Sequence, residues 1–143
     1  VTHLHQRKDI ELLSFTRDDA PVKLPELVAK SDFIFHLAGI NRPQDSQEFA
    51  RGNTDLTREL CAAIEASGRQ VPVLFTSSSQ ASLDNPYGNS KQAAENLLLE
   101  LEARKAVKLY LFRLPNVFGK WARPNYNSAV ATFCHNIARG VCR

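Results

Sequence analysis

The 143-residue chain has no methionine, only six glycines and three cysteines, and no apolar run near the ~20 residues that a membrane-spanning helix needs. Each shortage excludes something. Cys61, Cys134 and Cys142 are odd in number and form no CxxC pair, which rules out a disulfide framework and a cysteine-built metal site. His3 and His5 stand two apart with no third ligand in reach of the pattern, so no metal is expected, and both read as surface residues. Seven prolines and six glycines are too few for a collagenous chain, and 43% hydrophobic with 23% charged residues is not the composition of a disordered one. No basic, apolar signal pattern opens at Val1, so a soluble, cytoplasmic protein without a membrane partner is expected. The missing methionine adds the expectation of a processed or truncated product.

Acidic charge is absent from one end. Residues 1 to 102 hold ten basic and fifteen acidic side chains, whereas residues 103 to 143 hold eight basic side chains and no acidic one. Such a segment would attract an anion: nucleic acid, acidic lipid or a phosphorylated small molecule. On charge alone a solvated basic face is the favoured reading. A nucleic-acid partner is not expected, since few aromatics are interleaved with the basic residues and no binding module is visible.

What is present is an alternation of short apolar runs with amphipathic stretches. Strands are expected at Ile10–Phe15, Asp32–Ala38, Val71–Thr76 and Val107–Phe112. Helices are expected at Leu24–Ala29, at about Gln47–Ala66 with Gly68 as stop signal, at Pro86 to about Arg104, and at Ser128–Ala138. Strand and helix taking turns imply an α/β fold, a parallel sheet covered on both faces as a three-layer αβα unit. In such a sheet the ligands bind outside the carboxyl ends of the strands. There the sequence places Gly39-Ile40-Asn41-Arg42-Pro43, Ser77-Ser78-Ser79-Gln80 and Arg113-Leu114-Pro115-Asn116.

The sharpest element is Tyr87-Gly88-Asn89-Ser90-Lys91. Positions i and i+4 share one helix face, and an ammonium beside a phenol favours the phenolate. With Ser78 holding a substrate oxygen, Tyr87 would move its proton, which is general acid-base chemistry beside a hydride donor. Alone, Tyr-x-x-x-Lys is a weak signal; its position just after a serine-rich strand end strengthens it.

Serines at a strand end, Tyr-x-x-x-Lys on the next helix, then strand and Arg-x-x-Asn-Val-x-Gly: this order resembles the extended short-chain dehydrogenase/reductases, the nucleotide-sugar epimerase/dehydratase group. The segments carrying it are HLAGINRP (36 to 43), GNTDLT (52 to 57), FTSSSQA (75 to 81), NPYGNSK (85 to 91) and RLPNVFGKW (113 to 121). Within the group, HLAGINRP, DNPYGNSK, LPNVFGKW and PNYNSAVATFCHNIARG are similar to the capsular-polysaccharide branch, which reduces UDP-linked 2-acetamido-2,6-dideoxy-hexos-4-uloses. The resemblance implies a Rossmann-like fold, an NADP or NAD cofactor with NADPH favoured, a UDP-linked keto-sugar as substrate and a homodimer. It further implies Tyr87 as acid/base, Lys91 as its partner and ribose ligand, and Ser78 on the reacting oxygen. Leu37, Ala38, Gly39, Ser77 and Pro115 would line the cofactor, and Asn53 would brace this region. Asn41, Ser79, Asn116, Asn125, Tyr126 and Asn127 would face the sugar nucleotide, and Arg113 is as consistent with an ion pair as with a ligand.

The departures matter too. The glycines stand at 39, 52, 68, 88, 119 and 140, so the opening Gly-x-x-Gly-x-x-Gly loop that holds a pyrophosphate is absent. The expectation is an incomplete Rossmann-like sheet lacking its first two strands, with the start of a substrate lobe at about 117 to 143 and no activity on its own. A 4-epimerase or 4,6-dehydratase, or a non-catalytic dinucleotide-binding regulatory module, are the other readings.

Overall fold

The computed structural model describes residues 2–41, 45 and 47–141. Helices α1 (Thr2–His5) and α2 (Lys23–Lys30) come first, then strand β1 (Ile34–His36) and the short helix α3 (Gln47–Phe49). A π-helical turn over Ala50–Asp55 joins α3 to α4 (Leu56–Ser67). Strand β2 (Val73–Ser78), a 3₁₀ turn (Ser79–Ser82), α5 (Pro86–Lys105), β3 (Leu109–Leu114) and α6 (Ala129–Ile137) complete the order. The three strands form a parallel sheet ordered β1-β2-β3, with Ile34 opposite Val73 and His36 opposite Phe75. This is the incomplete Rossmann-like α/β sheet that the sequence implied.

Backbone packing divides the chain into two units, residues 1–113 and 114–143. In the first, Val73, Phe75 and Ser77 alternate with half-buried Leu74, Thr76 and Ser78, so β2 buries one side. On that side Val73 and Phe75 meet Leu24 and Val28 of α2, Leu60, Cys61, Ala63 and Ile64 of α4, and Ala94, Leu98 and Leu101 of α5 in one core. Cys61 is thus the small core residue expected; burial raises its thiol to about 11. Phe35 is 47% exposed, and Phe33 packs against it and against Tyr110 at centroid distances of 4.8 and 5.9 Å.

Local signals account for the ends of the elements. Asn85 caps α5, its side chain accepting from the Gly88 N–H at 2.8 Å, and Pro86 occupies the first turn. Gly68 closes α4 at φ 66°, the left-handed conformation a helix C-terminus favours. Regular pairing in β2 begins at Val73 rather than Val71 because Pro72 has no N–H to give; its carbonyl instead accepts from Ile34 at 2.9 Å.

One expected strand is absent. Ile10–Phe15 has no regular structure, although Phe15 packs on the core. A strand exists by its ladder, and among the described residues no neighbouring strand pairs with this segment.

The second unit holds a turn-rich segment and α6. Ser128 caps α6 by accepting from Ala131 N–H at 3.2 Å, and Asn125 N–H donates to Thr132 Oγ1 at 2.9 Å. Trp121 (φ 69°) and Asn125 (φ 56°) adopt left-handed backbone, an uncommon state for an indole-bearing residue. Cys134 is exposed, and Cys142 and Arg143 lie outside the described residues.

Candidate active site

The site of the first unit is built where β1 and β2 end. The π turn places Asn53, 2% exposed, against the segment leaving β1. Its side-chain oxygen accepts from Ile40 N–H at 2.8 Å, while its amide donates to Ile40 C=O at 3.1 Å and to Ser90 Oγ at 2.9 Å. Ser90 in turn donates to Tyr87 C=O at 2.7 Å, so one asparagine ties the β1 exit to the first turn of α5. π turns of this kind concentrate at functional sites.

Beneath it lies a second polar chain. Thr57 donates to Asn53 C=O at 2.6 Å, which leaves its oxygen to accept from His36 Nε2 at 2.8 Å and fixes the imidazole tautomer. His36 is stacked on Phe75 at 5.0 Å; burial and the Lys91 charge hold it down at about 4, so it is neutral at pH 7.

Lys91 is the centre of the arrangement. It is 4% exposed, donates to Thr76 C=O at 2.9 Å and lies 4.4 Å from the centroid of the Phe75 ring. Burial lowers its ammonium to about 8, opposed by the negative charge of Glu95, so it stays largely charged at neutral pH. Tyr87, one turn earlier on α5, is half-buried with its ring 5.6 Å from that of Phe49. The contact with α3 orients the phenol, and the helix brings it to the same strand end as Lys91.

The three serines separate by strand alternation. Ser77 points inward, is buried and donates to Glu95. Ser78 emerges on the other side, half-buried, its hydroxyl accepting from Gln80 N–H at 3.2 Å. Ser79 is exposed at the start of the 3₁₀ turn. Glu95, which carries no signal in the sequence pattern, is 3% exposed and takes a two-pronged pair from Arg113: Nε at 3.0 Å to one oxygen, Nη2 at 2.6 Å to the other. Burial alone would raise its carboxyl, but Arg113 and Ser77 hold it below the ordinary value. Arg113 is therefore an ion-pair residue.

Leu37, Ala38, Gly39 and Asn41 follow β1 and are exposed, whereas Arg42 and Pro43 lie outside the described residues. Pro115, Asn116, Asn125, Tyr126 and Asn127 belong to the second unit. There, a concavity of about 350 Å³ is bordered by Phe118, Lys120, Trp121, Arg123, Tyr126 and Asn127.

The first unit's residues suit a dinucleotide. A Cβ at Gly39 would lie 3.1 Å from Asn53 Oδ1 and 3.5 Å from Lys91 Nζ, so bare backbone runs beside the ammonium. Lys91 makes one hydrogen bond with its three N–H groups among the described residues, leaving donors for hydroxyl groups.

A parallel sheet whose next helix returns a tyrosine and a lysine to a serine-bearing strand end defines the extended short-chain dehydrogenase/reductase class. Residues 2–141 match the NAD dependent epimerase/dehydratase family, and the chain belongs to that family. Over 139 residues, 97% of its length, it is 57% identical to the UDP-2-acetamido-2,6-beta-L-arabino-hexul-4-ose reductase of Pseudomonas aeruginosa, covering 37% of that protein. It superposes on the capsular polysaccharide assembling protein CapF from Staphylococcus aureus with a TM-score of 0.82 and 39% identity, over 99% of this chain and 38% of that one. The UDP-glucuronic acid 4-epimerase from Bacillus cereus, solved in complex with NAD, shares the fold: TM-score 0.73 and 20% identity, over 96% of this chain and 48% of that one. The chain thus spans less than two fifths of the length of the first two relatives. None of its described helices is long and apolar enough to cross a membrane.

Proposed function

We propose that the full-length protein carrying this chain is an NAD(P)-dependent reductase of a UDP-linked 4-keto sugar, with NADPH the favoured reductant, serving capsule or O-antigen polysaccharide assembly as a cytoplasmic homodimer. The carrying observation is Lys91, a buried ammonium held on β2 by Thr76, one helical turn from Tyr87 and at the strand end that presents Ser78. The 57% identity to a 4-keto sugar nucleotide reductase supports the choice of reaction.

A bound nicotinamide cofactor supplies the hydride that the sugar carbonyl carbon receives. Lys91 and the Leu37-Ala38-Gly39 backbone are assigned to holding it, while Ser77, expected beside it, is turned inward to Glu95. Ser78 holds the carbonyl oxygen by its hydroxyl hydrogen, and Tyr87 delivers its phenolic proton to that oxygen. Lys91 keeps positive charge beside the phenol and stabilises the phenolate left behind. Asn41 and Ser79 stand exposed after the two strands for the sugar. In the second unit, Asn116, Asn125, Tyr126 and Asn127, with Lys120 and Arg123, offer the amide, phenol and cation chemistry that a nucleoside diphosphate requires.

The test is reduction of the UDP-linked keto-sugar by the full-length protein, followed as NADPH oxidation. Tyr87→Phe removes the proton donor and is expected to lower kcat about a thousandfold with little change in stability. Full activity in that variant would refute the role of Tyr87, and turnover without net oxidation of cofactor would replace the reductase with an epimerase.

A further inference from the structure

Tyr87, Lys91 and Glu95 succeed one another at four-residue intervals along α5 and so share its sheet-facing side. Glu95 reaches two strands at once. It accepts from Ser77, the residue before Ser78 in β2, and pairs through both oxygens with Arg113, close to the end of β3. Its partners each lie 18 positions away, in opposite directions along the chain. Both strand ends are therefore fixed to one buried carboxylate, and the same carboxylate sits one turn below the buried Lys91.

We propose that Glu95 is a positioning residue of this active site: it pins the β2 end that aims Ser78 and holds the negative charge that keeps Lys91 protonated beside Tyr87. This rests on the reading of Tyr87 and Lys91 as the acid/base pair. Among the described residues, the titratable and charged groups around Lys91 are His36 from β1, Tyr87 and Glu95 from its own helix and, across Glu95, Arg113 from β3; β2 contributes the Thr76 carbonyl and the Phe75 ring. His36 is neutral, so Glu95 is the anion among them and Arg113 the cation that partly offsets it. A carboxylate needed only as a strand tie would not have to be ionised, whereas one that balances Lys91 must be.

The two roles separate by sign. In Glu95→Gln the side chain still accepts from Ser77, but the charge is gone and Arg113 is left uncompensated. The Lys91 ammonium, followed by the ¹³Cε resonance in the full-length protein, should then titrate about one pH unit lower. Arg113→Gln leaves the carboxylate without its counter-ion and should move the same resonance upward. If Lys91 titrates unchanged in both variants, or moves the same way in both, the inference is overturned; Arg113→Gln alone still decides should Glu95→Gln fail to fold. Opposite movements accompanied by matching shifts in the alkaline limb of kcat uphold both the inference and the catalytic reading. Opposite movements with an unmoved rate profile uphold Glu95's effect on Lys91 and overturn the catalytic reading instead.

Discussion

Gly88 stands between Tyr87 and Lys91 in the first turn of α5, and two effects of opposite sign meet there. Helix propensity favours Gly88→Ala by at most about 1 kcal/mol. Packing opposes it: an added Cβ would lie 2.2 Å from Gln80 C=O and 2.6 Å from Leu83 C=O. Both oxygens belong to backbone, and an ordinary carbon-oxygen contact needs the nearer to retreat by about 1 Å. The retreat is resisted, because Gln80 C=O accepts from Leu83 N–H at 2.8 Å and Leu83 C=O from Asn85 N–H at 3.0 Å. Overpacking of this kind costs about 3 kcal/mol when the obstacle is not a flexible side chain, so a net loss of about 2 kcal/mol is expected. Urea denaturation of the full-length protein, read at the transition that unfolds this domain, measures it. Truncating the side chains of Gln80 or Leu83 in the Gly88→Ala background should restore nothing. A variant as stable as the parent, or more so, would show that propensity outweighs the contact and that the turn after β2 is not wedged against α5.

Further outcomes follow from the buried polar chain. Asn53→Ala strips Ile40 N–H, Ile40 C=O and Ser90 Oγ of their partner and should cost about 3 kcal/mol in urea denaturation; undiminished exchange protection of the Ile40 amide in the variant would contradict the clamp. His36 titrates at about 4 when folded against an ordinary 6.5, so the unfolded chain takes its proton first as pH falls. Stability is complete above about 6.5 and declines towards pH 4, with about 3 kcal/mol of the loss due to this residue. His36→Gln, which keeps a donor towards Thr57, should flatten the stability profile between pH 6.5 and 4.5, and an identical slope in both proteins would remove His36 as the cause.

Much of the scaffold was legible because burial leaves a period in the sequence. The apolar runs at Asp32–Ala38 and Val71–Thr76 correspond to β1 and β2, and the Ala94, Leu98, Leu101 stripe is the buried side of α5. Ile10–Phe15 shows the limit of that signal: apolar alternation fits a strand, but only a neighbour makes one. Tyr87 and Lys91 were visible through their spacing, and Asn53 only through resemblance. Glu95 was invisible since both its partners are distant in sequence, and a lone glutamate in an amphipathic helix reads as solvated. Nor could three consecutive serines be told apart until alternation in β2 sent Ser77 inward and Ser78 out. The Ala-Arg-Gly-Asn-Thr-Asp stretch looks like ordinary helix, which is why the π turn went unforeseen.

That turn also governs how two helices keep step. Phe49 touches Tyr87 and Cys61 approaches Leu97 C=O, so twelve positions on one helix run alongside ten on the other. The widened coil over Ala50–Asp55 takes up surplus length that a uniform α-helix would carry past its partner. Winding the same residues as uniform α-helix would instead rotate whatever precedes them by about 100° relative to α4. Phe49 would then swing off the tyrosine while Leu60 and Ile64 kept their places in the core. A substitution that converts these six positions to regular α winding is therefore a change of phase between scaffold and chemistry: the domain would hold its shape with the phenol no longer braced.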